Sequence, residues 1–270
     1  VPCHYDSQLD EAIRDQRELA ADLRRAIDRD ELDVHYQVQT SVTSGAVTGY
    51  EALLRWTHPQ RGAIPPAVFI PIAESNGFIL ALGEWVLRRA CADAAAWPHR
   101  SKVAVNVSPL QLAHADLPRL FHQVLIDTGL PPRRLEIELT ETAIIADRDR
   151  ALHVLRQIKA LGIGVALDDF GTGYSSLETL RAFPFDKIKL DRFFAAELEG
   201  NIQSTAILRA VLALGKSLSI PILAEGIETR EQLEVLRREG CDEAQGFLIG
   251  RPGRGVALAD AGGGVGAQAA

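Results

Sequence analysis

From Val34 onward, short runs rich in β-branched and aliphatic residues alternate with longer amphipathic stretches, and this alternation leaves few folds open. The strand runs are Val34 to Gln39, Val47 to Leu54, Val103 to Val107, Leu135 to Leu139, Gly164 to Leu167, Lys187 to Leu190, Ile222 to Ala224 and a short one ending at Gln245. Helical periodicity predicts Phe78 to Ala96, Asp116 to Thr128, Arg148 to Leu161, Ser204 to Leu218 and Arg230 to Glu239. Gly129, Gly162 and Gly240 close three of these helices as C-terminal caps. Parallel βα units are the expectation. Eight of them in a chain of 270 residues match a TIM (β/α)8 barrel. A doubly wound open sheet is the competitor, but no Gly-x-Gly-x-x-Gly follows an early strand.

The ends of the chain read differently. Residues 1–30 are charged and helix-favouring, with Leu9, Ala12, Ile13, Leu19, Leu23, Ala26 and Ile27 at helical spacing, so they form a lead-in helix or linker. The main domain is expected over 31–254, and the Gly- and Ala-rich residues 255–270 as a flexible tail. Met is absent even at position 1, which reads as excision from a longer protein.

Charge and cysteine usage narrow the function classes. A formal net charge of -7 argues against sequence-independent binding of DNA or RNA duplexes, which requires a basic face to release counterions. A polyanionic ligand then needs a metal ion or local Arg and Lys. Cys3, Cys91 and Cys241 are odd in number and far apart, which favours neither a disulfide framework nor a zinc site, and fits a reducing cytoplasmic setting. No apolar run reaches the length of a membrane span, so this domain is expected to make no membrane contact. The histidines have no metalloprotease spacing.

The candidate site follows from position. Asn106, Glu138, Asp168, Lys189, Glu225 and Gln245 each lie at or just past the C-terminal end of an expected strand, the rim on which barrels carry catalysis. One carboxylate there could simply cap the next helix. Recurrence on so many strands points to a site. Carboxylate and amide oxygens suit hard divalent cations.

On this framework stand Glu51-Ala-Leu-Leu-Arg-Trp56, Asn106-Val-Ser108, Glu138-Leu-Thr-Glu-Thr142, Asp168-Asp-Phe-Gly-Thr-Gly-Tyr-Ser-Ser-Leu177, Lys189-Leu-Asp191, Ala224-Glu-Gly-Ile-Glu228 and Gln245-Gly-Phe247. Together these resemble the motifs of the EAL-domain cyclic di-GMP phosphodiesterases. Order and spacing agree from His35 to Pro252. One departure is Tyr36-Gln37-Val38, where the family usually has Pro third; the change frees φ and removes no ligand.

The resemblance implies a modified TIM barrel that hydrolyses cyclic di-GMP to linear pGpG with two Mg²⁺ or Mn²⁺ ions. Glu51, Asn106, Glu138 and Asp168 are then expected to hold one ion, and Asp168, Asp169 and Glu225 the other. Glu51, Glu225, Lys189 and Gln245 become the catalytic set. Gln37 and Arg55 take substrate contacts, and Glu141 and Glu228 steady the loop from Asp169 to Ser176. A homodimer, and a parent protein with a further regulatory domain such as GGDEF joined through Tyr5-Asp6 and the lead-in helix, are implied as partners.

Plainer readings stay open at this point. Lys189 could pair with Asp191 or Asp186, Gln245 could satisfy a turn, Arg55 could cover Trp56, and Glu141 could be a helix N-terminal acid. At the level of the whole domain, a cyclic di-GMP sensor without turnover and a TIM-barrel enzyme of unrelated chemistry are the competitors.

Overall fold

A computed structural model describes residues 7–171, 177–183, 185–196 and 201–255. Residues 256–270 of the expected tail, Tyr5-Asp6, Cys3 and loop residues 172–176 lie outside the described residues. Nine strands form one sheet: β1 (Leu32–Ser41), β2 (Val47–His58), β3 (Gly62–Ile64), β4 (Lys102–Asn106), β5 (Leu135–Thr140), β6 (Gly164–Phe170), β7 (Lys187–Leu190), β8 (Ile222–Ala224) and β9 (Glu243–Gln245). Their order is β1-β9-β8-β7-β6-β5-β4-β2-β3, and pairing of β1 with β2 closes eight of them into a barrel.

The expectation of uniformly parallel strands fails at β1, which runs antiparallel to both β2 and β9. The reason is local. Residues between β1 and β2 are too few for a crossover helix, and a parallel pair needs one. A tight turn forms instead, with the Gly45 amide donating to the Ser41 carbonyl, the Ser41 amide donating to the Ala46 carbonyl, and Gly45 at φ 70°. From β2 to β9, leaving aside the short β3 spur, every neighbouring pair in the ring is parallel.

Alternation along these strands divides two environments. Val103, Val105, Leu135, Ile137, Val165, Leu167, Ile188, Leu190 and Ile222 are buried in the main apolar core, with side chains of the helices Ile79–Ala96, Leu117–Thr128 and Arg148–Ala160. The residues between them are polar on several strands, so Glu136, Glu138, Lys187 and Lys189 share the barrel's inward face. Burying these aliphatic side chains outside, each stabilising by roughly 1.5–3 kcal/mol, offsets a polar interior.

The lead-in helix spans Ser7–Ala26 and is built into the domain. Its Leu19, Leu23 and Ala26 join a second buried cluster with Leu32, Trp56, Ile64, Phe69 and Ile72. Asp22 meets the buried His58 at 3.2 Å, and Arg61 pairs with Asp15 and Glu18. The chain then turns at Asp30, φ 54°, into β1.

Elements that the sequence pattern did not reveal are short or proline-marked. Pro66–Ser75 starts with Pro at its first position and carries Pro71 inside. Pro109–His114, Glu141–Ile145, Leu177–Ala182 and Arg192–Ala196 are each shorter than the two turns over which a period of 3.6 can be recognised. The glycine caps stand at φ 69° for Gly129 and 76° for Gly240, with Gly162 at 88° just past its helix.

Candidate active site

The barrel gathers the predicted side chains around one ammonium group. Lys189, 1% exposed, places Nζ 2.6 Å from Glu138 Oε2, 2.7 Å from Glu225 Oε1, 3.3 Å from Asp168 Oδ1 and 3.7 Å from Glu51 Oε2. Four strands and the residue after a fifth thus meet at one atom. The alternative pairings of Lys189 are excluded: Asp186 pairs with Lys159, and Asp191 accepts from the Phe193 amide.

Amides complete the arrangement. Asn106, at the end of β4, donates from Nδ2 to Glu51 Oε1 at 2.8 Å. Gln245 donates from Nε2 to Glu51 Oε2 at 2.6 Å and to Gln37 Oε1 at 3.1 Å. Gln245 therefore serves the rim and not a turn. Gln37 in turn donates to the Gly250 carbonyl at 3.1 Å.

Asp168 and Asp169 are consecutive, and in a regular strand they would face opposite ways. The β6–β7 ladder shifts between Leu167 and Phe170, and Asp169 adopts φ 54°. That left-handed residue lets both carboxylates lie near the rim, a conformation Asp tolerates better than most side chains. Burial, Asp168 and Asp191 raise the Asp169 carboxyl above its usual range despite Lys189.

Electrostatics at the rim are dominated by excess negative charge. Burial raises Glu138 well above the carboxylate range, and Glu51 and Asp168 add to this against the Lys189 ammonium. Burial likewise brings Glu225 up to about 7, with Lys189 opposing. For Glu51, burial is outweighed by Lys189 and by the amides of Gln245 and Asn106, so its carboxyl lies below the usual range. Lys189 is also buried, but Glu138, Glu225, Glu51 and Asp168 outweigh that cost and hold its proton firmly.

These donors fit a hard divalent cation. All are oxygens, and four carboxylates surround one ammonium. Among the described residues Glu138 Oε1 is buried without a hydrogen-bond partner, which is costly unless a cation takes its lone pairs. Among the described residues no His, Cys, Asp and Glu converge as a finished coordination shell. Here the Lys189 ammonium carries the positive charge among them.

Arg55 shares the face of β2 that carries Glu51. Its Nη1 donates to the Leu54 carbonyl at 3.0 Å, and among the described residues it makes no ion pair. Trp56 is engaged elsewhere, edge-on to Phe69 with ring centroids 5.7 Å apart and donating to Glu31. Arg55 thus does not serve as its cover. It lines a cavity of about 330 Å³ with Leu54, Ile79, Asn106 and Pro109.

Glu141 opens the helix Glu141–Ile145 and is buried. Glu228 is exposed, its backbone amide donating to Gln232 Oε1. The centre of the loop these two were expected to steady, 172–176, lies outside the described residues.

One layer deeper lies a cluster that motif reading missed: Glu136, Lys187, Glu243 and Gln39. A signal for it was present. Each stands two residues from a rim residue in the same strand, Glu136 from Glu138, Lys187 from Lys189, Glu243 from Gln245 and Gln39 from Gln37.

A family model described as "EAL domain" matches residues 20–252. A signalling protein of Caulobacter vibrioides is 57% identical over 92% of this chain and 31% of its own length. The bifunctional diguanylate cyclase/cyclic di-GMP phosphodiesterase MucR of Pseudomonas aeruginosa is 44% identical over 93% of this chain and 37% of its own. The solved structure of the MucR phosphodiesterase in complex with c-di-GMP superposes with a TM-score of 0.84 at 45% identity, covering 87% of this chain and 97% of that one. The chain spans about a third of the length of these curated relatives. Motif order, barrel topology with one reversed strand, and the match over most of its length make this chain a member of the EAL-domain family.

Proposed function

We propose that this domain hydrolyses one phosphodiester bond of cyclic di-GMP to give linear pGpG, with Mg²⁺ or Mn²⁺ as cofactor. The observation that carries the reading is the ring of Glu51, Glu138, Asp168 and Glu225 around Lys189, with Glu138 Oε1 left without a hydrogen-bond partner among the described residues. MucR, at 44% identity, supports the choice of substrate.

Two ions fit the donor set, one held by Glu51, Asn106, Glu138 and Asp168, the other by Asp168, Asp169 and Glu225. Bound there, such ions lower the pKa of water and offset the charge that develops on the phosphoryl oxygens. In the reaction a water oxygen bonds to phosphorus, the bond from phosphorus to the 3′ oxygen breaks, and that oxygen leaves with a proton. Glu225, which keeps access to solvent beside Lys189, is the group suited to exchanging a proton with water. Lys189, set among these four carboxylates, orients the water or adjusts its protonation by charge and hydrogen bonding. Gln245 and Asn106 hold the Glu51 carboxylate in one rotamer. Arg55 forks onto a phosphate at the cavity, with Gln37 beside the same rim.

Glu141 and Glu228 steady the loop that begins at Asp169. The domain works as a homodimer in the cytoplasm, within a longer regulatory protein. No helix among the described residues is long and apolar enough to cross a membrane.

The test is direct. Purified domain is incubated with cyclic di-GMP and either Mn²⁺ or Mg²⁺, and products are separated by ion-exchange chromatography. Formation of pGpG that stops with EDTA is expected. Calorimetric binding with intact substrate under both metals overturns the enzymatic reading in favour of a sensor.

A further inference from the structure

The deeper ionic cluster is not used by the rim chemistry, yet hydrogen bonds connect the two. Lys187, 4% exposed, holds Nζ 3.0 Å from Glu136 Oε1 and 2.9 Å from Glu243 Oε2. It also donates to Gln39 Oε1 at 3.3 Å. From there the contacts run upward: Gln39 Nε2 donates to Gln245 Oε1 at 3.0 Å, and Gln245 Nε2 donates to Glu51 Oε2 at 2.6 Å.

The polarity of this chain is forced. An ammonium has no acceptor, so Gln39 must turn its oxygen toward Lys187. Only its NH₂ then remains for Gln245, which must answer with its own oxygen. Gln245 is left with NH₂ toward the rim, where both Glu51 Oε2 and Gln37 Oε1 accept. Gln37 accordingly shows its NH₂ to the Gly250 carbonyl. An amide alone could flip; three in series, pinned by an ammonium at one end and a carboxylate and a carbonyl at the other, have one consistent orientation. Flipping Gln245 would set its oxygen against Glu51 Oε2, two acceptors at a distance of 2.6 Å.

Room for this chain is provided across the sheet. Gln39 faces Gly49 in the β1–β2 register, and a Cβ at Gly49 would lie 3.2 Å from Gln39 Oε1 and 3.3 Å from the Lys102 carbonyl. Any side chain there presses on the amide.

We propose that Lys187 and Gln39 are positioning residues that lock the Gln245 amide with its N–H toward Glu51, so that the Glu51 carboxylate is presented to the rim in one rotamer. The proposal rests on the reading of Glu51 as a metal ligand.

Gln39→Glu keeps size and reverses the polarity presented to Gln245, whereas Gln39→Met removes polarity and leaves Gln245 free to serve Glu51. At about pH 8, with the introduced carboxylate ionised beside Lys187, Gln39→Glu is expected to lower kcat about 30-fold and to weaken Mn²⁺ binding to the substrate-free domain, by calorimetry, about 10-fold. Gln39→Met is expected to lose less than about 5-fold in each. A packing role gives the opposite order, since Glu is the closer match in shape. Gly49→Ala provides a second perturbation that adds no charge, with a loss of about 3-fold in Mn²⁺ affinity expected. Gln39→Glu with kcat and Mn²⁺ affinity within about twofold of the parent, or Gln39→Met as the more damaging change, overturns the proposal. Should Gln39→Glu not fold, unchanged Mn²⁺ affinity in Gly49→Ala overturns it. Calorimetry does not need turnover, so a parent domain that binds Mn²⁺ without hydrolysing cyclic di-GMP refutes the enzymatic reading while this test still decides the lock.

Discussion

Lys189 Nζ stands 2.6 Å from Glu138 Oε2, and both side chains are shut off from solvent inside the barrel. Such a pair resists the loss of one member far more than the loss of both, because the survivor is a buried, uncompensated charge. Here the surviving side is several carboxylates.

Lys189→Met removes the one ammonium from the rim. The metal-free domain is expected to lose about 3–5 kcal/mol of stability, and turnover is expected to fall below detection. Mn²⁺ should restore most of the lost thermal midpoint, since a divalent cation replaces the missing charge. Thermal melts with and without Mn²⁺ check this; a midpoint indifferent to Mn²⁺ removes the carboxylates from consideration as a metal site.

Stability of the metal-free domain should depend on pH through Glu225 and Glu138. Both carboxyls are raised in the folded state, Glu225 from 4.5 to about 7. The folded state therefore binds more protons than the unfolded one in that window, and stability falls as pH rises from 4.5 to about 7. Glu225→Gln should flatten the slope by roughly 1–3 kcal/mol across the window, measured by urea denaturation. An unchanged slope contradicts the burial argument for Glu225.

Arg55 makes no ion pair among the described residues and lines the cavity beside Asn106. Arg55→Ala should raise KM for cyclic di-GMP by about 10- to 100-fold, the worth of a charged hydrogen bond to phosphate. Mn²⁺ affinity in the absence of substrate should stay as it was. Steady-state kinetics and calorimetry on the same preparation separate the two.

Leu23 is fully buried among Leu19, Ala26 and the second cluster under β2. Leu23→Ala should cost about 2–5 kcal/mol, as a cavity in a packed core does. A helix that served only as a loose connector would give nearly none, and equilibrium denaturation distinguishes these outcomes.

Much of the architecture was legible because it depends on short-range chemistry. The βα alternation, the glycine caps at Gly129 and Gly240, and the rim positions of Glu138, Asp168 and Lys189 all follow from residue types at fixed spacing. Reversal of β1 was legible in principle, since no helix-length segment separates Thr40 from Val47. The proline-bearing helix Pro66–Ser75 and the short helices were not, because they are held by contacts with distant residues and not by local preference.

Residue type and spacing by themselves determined the family, the barrel and the identity of the rim groups. The pattern could not say that Lys189 sits within 4 Å of four carboxylates from four different places in the chain, nor that Asp186 and Asp191 are engaged elsewhere. It was silent too on the one-way line of amides from Lys187 to Glu51. Those depend on barrel closure, which brings β1, β2, β7 and β9 to face one another, and on burial. Only where water is excluded does each charge and amide need its particular partner, and only the tertiary structure decides which partner that is.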